Sequence, residues 1–250
     1  MRSLVRDARL RYERKAFVIE GPHLVERALE ESPKQIESAY FTRDAFDKHL
    51  ALVSLLEKNR IELHSVTPRQ AEQISDTRTP QGIFALVRMP KVKPSVASGV
   101  ILLDGVQDPG NVGTIIRAAA WFGIGRVILA HGSADPYAPK TVRATQGEIF
   151  SVACELTDSV GDTLARLKKE GHKVFTTTLS PDACSLYSEE FIDKFVIVLG
   201  SEAHGASPEA LAQADRQIMI PRIGSGESLN VAMSAAIILS ENAARKLRHT

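Results

Sequence analysis

Apolar residues in the first third of the chain fall into short runs separated by helical spacings. Phe17-Val18-Ile19-Glu20 reads as a strand that ends at Gly21-Pro22, and Leu24, Val25, Ala28 and Leu29 then recur at helical intervals. Ile36 to Thr42 predicts a second strand, and Phe46 to Lys58 a second helix. Ile61 to Val66 alternates as a half-buried strand does, Thr67-Pro68 supplies an N-cap followed by a first-turn proline, and Gly82 to Val87 is a further strand.

Met89 to Gly99 holds prolines, lysines and serines without apolar periodicity and reads as a linker. Beyond it, strands are predicted at Val100–Asp104, Arg126–Ala130, Ser151–Leu156, Lys173–Thr177, Phe195–Gly200 and Gln217–Ile220. Helices are predicted at Asn111–Phe122, Val160–Glu170 and Leu229–Leu247, the last with Leu229, Met233, Ala236, Ile237, Ala244 and Leu247 on one side. Strands spaced by helices imply an α/β fold with a largely parallel sheet covered on both faces. The expected division is residues 1–94 and 95–250.

Composition narrows the function classes. The formal charge of +1 excludes a globally basic nucleic-acid binder, so any RNA or DNA contact must come from a local patch. The patch on offer is the amino end, with Arg2, Arg6, Arg9, Arg11, Arg14 and Lys15 against Asp7 and Glu13; a solvated helix face gives the same pattern. Cys154 and Cys184 lack the spacing of a metal set or a disulfide framework and read as buried free thiols. No stretch has signal-peptide or membrane-span character, so a soluble cytoplasmic protein without a metal is expected.

Three loops carry the chemistry. Asp108-Pro109-Gly110-Asn111-Val112-Gly113 follows a strand and opens a helix whose only early charge is Arg117. Gly200-Ser201-Glu202-Ala203-His204-Gly205 follows a second strand, and Ile220-Pro221-Arg222-Ile223-Gly224-Ser225-Gly226-Glu227-Ser228-Leu229-Asn230 a third. If these strands are parallel neighbours, their carboxyl ends gather the loops in one cleft, where open α/β sheets bind ligands. A lone guanidinium on an apolar helix suits an anion. No P-loop, strict GxGxxG or GxSxG is present, which counts against nucleotide hydrolysis, Rossmann-type dinucleotide binding and serine hydrolase chemistry.

Together the blocks resemble the three signature motifs of the SpoU (TrmH) family of RNA ribose 2′-O-methyltransferases, in the SPOUT class. Asn111, Gly113 and Arg117 match the first; Gly200, Ser201, Glu202 and Gly205 the second; Ile220, Pro221, Gly224, Ser228, Leu229 and Asn230 the third. Ala203 stands where the family often has Gly, and Arg222 where an apolar residue is common. Residues 17–25 and 79–87 resemble the family's amino-terminal substrate-binding domain, itself similar to small ribosomal RNA-binding proteins.

The resemblance implies a carboxyl-terminal parallel-sheet SPOUT domain with a trefoil knot, preceded by a small α/β RNA-binding domain. It implies S-adenosylmethionine as cofactor, held largely by backbone groups at Thr178, Leu199, Gly200, Ile220 and Leu229. It makes Arg117, Asn111, Glu202, Ser228 and Asn230 the catalytic set. Arg117 is either the base, aided by a substrate phosphate, or a permanent cation that clamps that phosphate while another group takes the proton; that a guanidinium stays protonated in proteins favours the second. Asn111 orients Arg117 or the ribose, Glu202 fixes Arg117 or Asn111, and Ser228 and Asn230 position substrate or cap the last helix. The implied partners are RNA, most plausibly 23S rRNA, and a second copy of the chain. The alternatives are a tRNA 2′-O-methyltransferase and a non-catalytic RNA-binding ribosome-assembly factor.

Overall fold

The computed structural model describes residues 1–92, 99–191 and 194–248, grouped into two compact units. The first is Met1–Val92 with Asp135–Ser151; the second is Lys93–Ala134 with Val152–Thr250. The 94/95 boundary and the middle of the Met89–Gly99 linker lie outside the described residues. A division into two continuous pieces misses Asp135–Ser151, which the chain contributes to the first unit from between two strands of the second.

In the first unit, strands β1 (Ala16–Glu20), β2 (Ile36–Phe41), β3 (Glu62–Ser65) and β4 (Ile83–Arg88) form a mixed sheet in the order β1-β4-β2-β3. Only the β2–β3 pair is parallel. Phe17, Phe41 and Phe84 are fully buried on it. The expected helix over Phe46–Lys58 is two helices, Arg43–Lys48 and Leu50–Lys58, separated at His49. Thr67 caps Pro68–Ile74 in a full capping box with Gln70.

Asp135 ties the inserted segment to this unit. Its carboxylate accepts from Arg11 Nε at 2.9 Å, Arg11 Nη2 at 2.5 Å, Tyr12 Oη at 2.8 Å and the Tyr137 N–H at 2.9 Å. Burial, reinforced by this carboxylate, pushes the Tyr12 phenol well above its ordinary pKa. Arg11 itself is 4 % exposed and donates also to Leu4 O. Asp135→Asn, which keeps the shape but discharges the acceptor, should lower unfolding free energy by about 2 kcal/mol, the range of hydrogen bonds to charged groups. Urea denaturation with an unchanged midpoint would remove this role from Asp135.

In the second unit, β5 (Val100–Asp104), β6 (Arg126–Ala130), β7 (Ala153–Thr157), β8 (Lys173–Thr177), β9 (Cys184–Ser185), β10 (Phe195–Gly200) and β11 (Arg216–Met219) form one parallel sheet in the order β7-β6-β5-β10-β8-β11-β9. Central β10 is buried on both faces, as its continuous apolar sequence requires. Asp215 locks β11 to β8: its carboxylate accepts from the Val174 N–H at 2.8 Å and pairs with Lys168 at 2.7 Å. Burial alone would raise this carboxyl, but the Lys168 and Val174 partners hold it below the ordinary value of 3.8. The pairing therefore supports the fold above that pH and is lost as the pH falls through the lower folded value.

The last helix, Val231–Arg248, packs against helix Pro109–Trp121. Its buried residues are Val231, Ala232, Ala235, Ile238, Leu239 and Asn242. This corrects the expected apolar face: Leu229 ahead of the helix, Met233 and Leu247 are 48 %, 61 % and 78 % exposed. Small Ala and Val side chains suit close contact with Val112, Ile115, Ile116 and Ala119 of the facing helix. Both sides of the helix are thus rich in apolar residues. Cys154 and Cys184 are half-buried rather than buried. Among the described residues no helix is long and apolar enough to cross a membrane, and no cluster of three His, Cys, Asp or Glu is placed to hold a metal ion.

Candidate active site

Parallel strands β5, β10 and β11 bring their three following loops to one end of the sheet. After β5, Ser133 fixes the turn. Its Oγ accepts from the Gly105 and Val106 N–H groups at 3.1 and 3.2 Å and donates to Leu103 O at 3.0 Å. Gly105 sits at φ +79, in the left-handed region that favours glycine. Asp108 then caps helix Pro109–Trp121 by accepting from the Asn111 N–H at 2.9 Å. Asp104 reaches the second loop, where it accepts from the Ser207 N–H at 2.7 Å.

The second loop closes on itself through Ser201 N–H to Gly205 O at 3.0 Å and Gly205 N–H to Ser201 O at 2.9 Å. A Cβ on Gly200 would lie 2.0–2.3 Å from backbone atoms of Gly205 and Ala206, so only glycine fits. The third loop behaves differently. Pro221–Asn230 is exposed, and Pro221–Leu229 makes no backbone–backbone hydrogen bond with described residues. Apart from Gly226 O, which accepts from Arg222 Nη1 at 3.1 Å, its N–H and C=O groups are open to a ligand.

Asn230 couples all three loops. Its Oδ1 accepts from the Ala232 and Met233 N–H groups at 2.9 and 3.3 Å, capping the last helix. Its Nδ2 therefore faces outward and donates to Asn111 Oδ1 at 3.0 Å. Asn111 Nδ2 in turn donates to Glu202 Oε1 at 2.5 Å. The helix N–H groups set the orientation of both amides, and the carboxylate, which only accepts, terminates the series. Glu202 thus meets Asn111, not Arg117.

The second and third loops and the β8 end line a cavity of about 840 Å³, within the range of small-molecule sites; Asn111 of the first loop is not among its lining residues. All five expected cofactor residues, Thr178, Leu199, Gly200, Ile220 and Leu229, line it, together with Glu202, Ser228 and Asn230. Leu199 is 1 % exposed and the Thr178 N–H is already bonded to Ile218 O. Leu199 can reach a ligand only through its backbone, and Thr178 not through its N–H. Sequence reasoning passed over Leu179, Leu186, Met219, Ile238 and His204, which also line the cavity. Leu179, Leu186 and Met219 sit at or just past strand ends, which is their only signal, and Ile238 is a buried residue of the last helix.

Arg117 stands apart. It does not line the cavity of its own chain, is exposed, and has no ion pair or hydrogen bond with a described residue. Six residues along the helix from Asn111, it points about 120° away. Thr114 and Trp121, one turn on either side, are exposed with it, Trp121 to 85 %. Arg117 therefore sits on an open helix face shared with an aromatic ring.

The SpoU rRNA Methylase family model matches residues 98–240, and the model for RNA 2′-O ribose methyltransferase substrate binding matches residues 18–92. The 23S rRNA (guanosine(2553)-2′-O)-methyltransferase RlmP of Bacillus subtilis is 35 % identical, covering 89 % of this chain and 86 % of its own. A TrmH-family protein from Porphyromonas gingivalis has a similar structure: TM-score 0.83, 37 % identity, 98 % of this chain and 95 % of that one covered. So does an AdoMet-bound rRNA methyltransferase from Sinorhizobium meliloti, with TM-score 0.82, 26 % identity, and 98 % and 93 % covered. With its three loops, its parallel sheet and both parts of its length matched in this way, the chain belongs to the SpoU rRNA methylase family.

Proposed function

We propose that the chain transfers a methyl group from S-adenosylmethionine to the 2′-hydroxyl of a guanosine in 23S rRNA. The observation that carries this reading is the cavity: one loop supplies uncommitted backbone groups, a second supplies a glycine cradle, and Asn230 and Asn111 connect both to the helix that bears Arg117. Family membership, the RlmP relative and the substrate-binding match favour rRNA over tRNA. A cytoplasmic location follows from that substrate. Residues 1–94 are assigned to substrate binding, with Asp135–Ser151 added to them, and 95–250 to methyl transfer.

The cavity fits S-adenosylmethionine in size and donor set. Backbone groups of Pro221–Leu229 suit an adenine edge, and Leu199, Ile220 and Leu229 supply apolar walls. When bound, the cofactor supplies an electrophilic methyl on a sulfonium. Glu202 holds the Asn111 amide and, through it, Asn230. Ser228, exposed at the cavity wall, positions the ribose. Arg117 clamps the phosphate beside the target ribose and stabilises the developing alkoxide, while a phosphate oxygen or water accepts the 2′-hydroxyl proton. We assign the trefoil knot to the second and third loops; the placement of late strand β10 between β5 and β8 supports it.

Arg117 lines no part of its own chain's cavity, and apolar side chains are exposed one turn along its helix, at Trp121, and on the last helix, at Met233 and Leu247. We assign these to a homodimer in which Arg117 serves the partner's site. Light scattering should give twice the chain mass. Labelled S-adenosylmethionine should pass label to a 23S rRNA transcript and not to tRNA. Label in tRNA would select the runner-up, and cofactor binding without transfer the non-catalytic reading.

A further inference from the structure

We propose that the amino-terminal helix pair, which precedes the matched part of the substrate-binding unit, is an RNA-contact surface of that unit and grips backbone phosphates of the substrate. Helices Arg2–Arg6 and Ala8–Arg14 precede the substrate-binding match, which begins at residue 18. The inference rests on the RNA substrate proposed above.

The charge is concentrated and uncommitted. Residues 1–15 carry a net +4, against +1 for the whole chain, so the remainder is net negative. The two acids in this stretch are occupied: Asp7 caps the second helix at the Leu10 N–H, and Glu13 pairs with Arg9 at 2.7 Å. Arg11 is buried and neutralised by Asp135. Arg2, Arg6, Arg14 and Lys15 remain, all exposed and with no ion pair or side-chain hydrogen bond to a described residue. Arg2 and Arg6 are one turn apart on the same helix face.

The segment is built into the domain rather than left as a tail. Leu4 is 2 % exposed and shares a core cluster with Val18, Ala71 and Phe84, to which Val5 and Leu10 add. Arg11 fastens the second helix from within. Lys15, at φ 50, ends that helix in the left-handed region, and its carbonyl accepts from the Met89 N–H at 2.7 Å. Four cations on an already folded support lose less conformational freedom on binding than cations on a disordered arm. A polyanion is the partner such a patch fits, and each phosphate neutralised releases condensed counterions.

The test uses the full chain and a quadruple variant, Arg2→Gln, Arg6→Gln, Arg14→Gln and Lys15→Gln, titrated with a 23S rRNA transcript over a range of salt concentrations. Each lost phosphate contact should flatten the log K against log salt slope by about 0.7–0.9, so the variant's slope should fall by about 3. Affinity should drop at least tenfold at low salt, with KM for rRNA rising and kcat at saturating RNA unchanged. Melting temperature and S-adenosylmethionine affinity equal to those of the parent confirm an intact fold. A variant with the parent's affinity and slope overturns the inference. A parent that does not bind 23S rRNA overturns the RNA reading itself.

Discussion

Arg117→Ala should lower turnover on rRNA by about 10²–10³-fold, the cost of deleting a charged donor aimed at a developing oxyanion. S-adenosylmethionine affinity should stay at the parental value. The reasoning is geometric. Arg117 lines no part of its own chain's cavity and holds no other residue in place, so its loss disturbs neither the cofactor walls nor the fold. What is lost is a positive charge at the reacting phosphate and 2′-oxygen. Single-turnover rates with saturating RNA, alongside calorimetric titration of the cofactor, separate the two effects. Parental turnover would remove Arg117 from the mechanism in either of its roles.

Gly200→Ala should act in the opposite way, weakening cofactor binding. The new methyl would lie 2.0–2.3 Å from Gly205 C, Gly205 O and Ala206 N, and backbone cannot swing aside as a flexible side chain can. The loop would have to break its Ser201–Gly205 hydrogen-bond pair to relieve the clash. Overpacking of this kind costs about 1–3 kcal/mol. Spent in the cofactor site, the upper part of that range weakens S-adenosylmethionine about a hundredfold. Gly224→Ala and Gly226→Ala provide the controls, because a Cβ at either meets nothing within 4 Å. Similar affinity losses in all three variants would show that loop composition, rather than the Gly200 contact, is responsible.

The two variants also test where Arg117 acts. In a mixed dimer, the Arg117→Ala chain keeps an intact cofactor cavity, and the Gly200→Ala chain keeps its arginine. If Arg117 serves the partner's cavity, co-expressing the two inactive chains restores one working site per mixed dimer. Failure of the mixture to recover activity would place Arg117 in its own chain's site.

Much of the site was legible because its chemistry depends on residue types with few substitutes. The glycine at 200, an amide cap at 230 and a strand-following Asn111 each meet a local backbone demand, and such demands leave marks in sequence. The long apolar runs at β5 and β10 likewise announce strands buried on both faces. Other features have no local mark. Arg11 and Asp135 are 124 positions apart, and nothing near either one predicts the other. Helix Pro139–Thr145 buries Thr141, Val142 and Thr145, too short and too polar a pattern to show periodicity. The break at His49 follows no Gly or Pro. The last helix has apolar residues on both its covered and its open sides, so periodicity could not say which side the chain itself covers, and the predicted stripe is exposed at Met233 and Leu247 and half-buried at Ala236, Ile237 and Ala244.

The most direct test of the central claim is a map of 2′-O-methylated nucleotides in the RNA of the source organism with and without this gene. Deletion should erase one 2′-O-methylguanosine from 23S rRNA, and the parental gene should restore it where the Arg117→Ala form does not. An unchanged 23S rRNA map, or a modification lost only from tRNA or from a base rather than a ribose, would contradict the assignment.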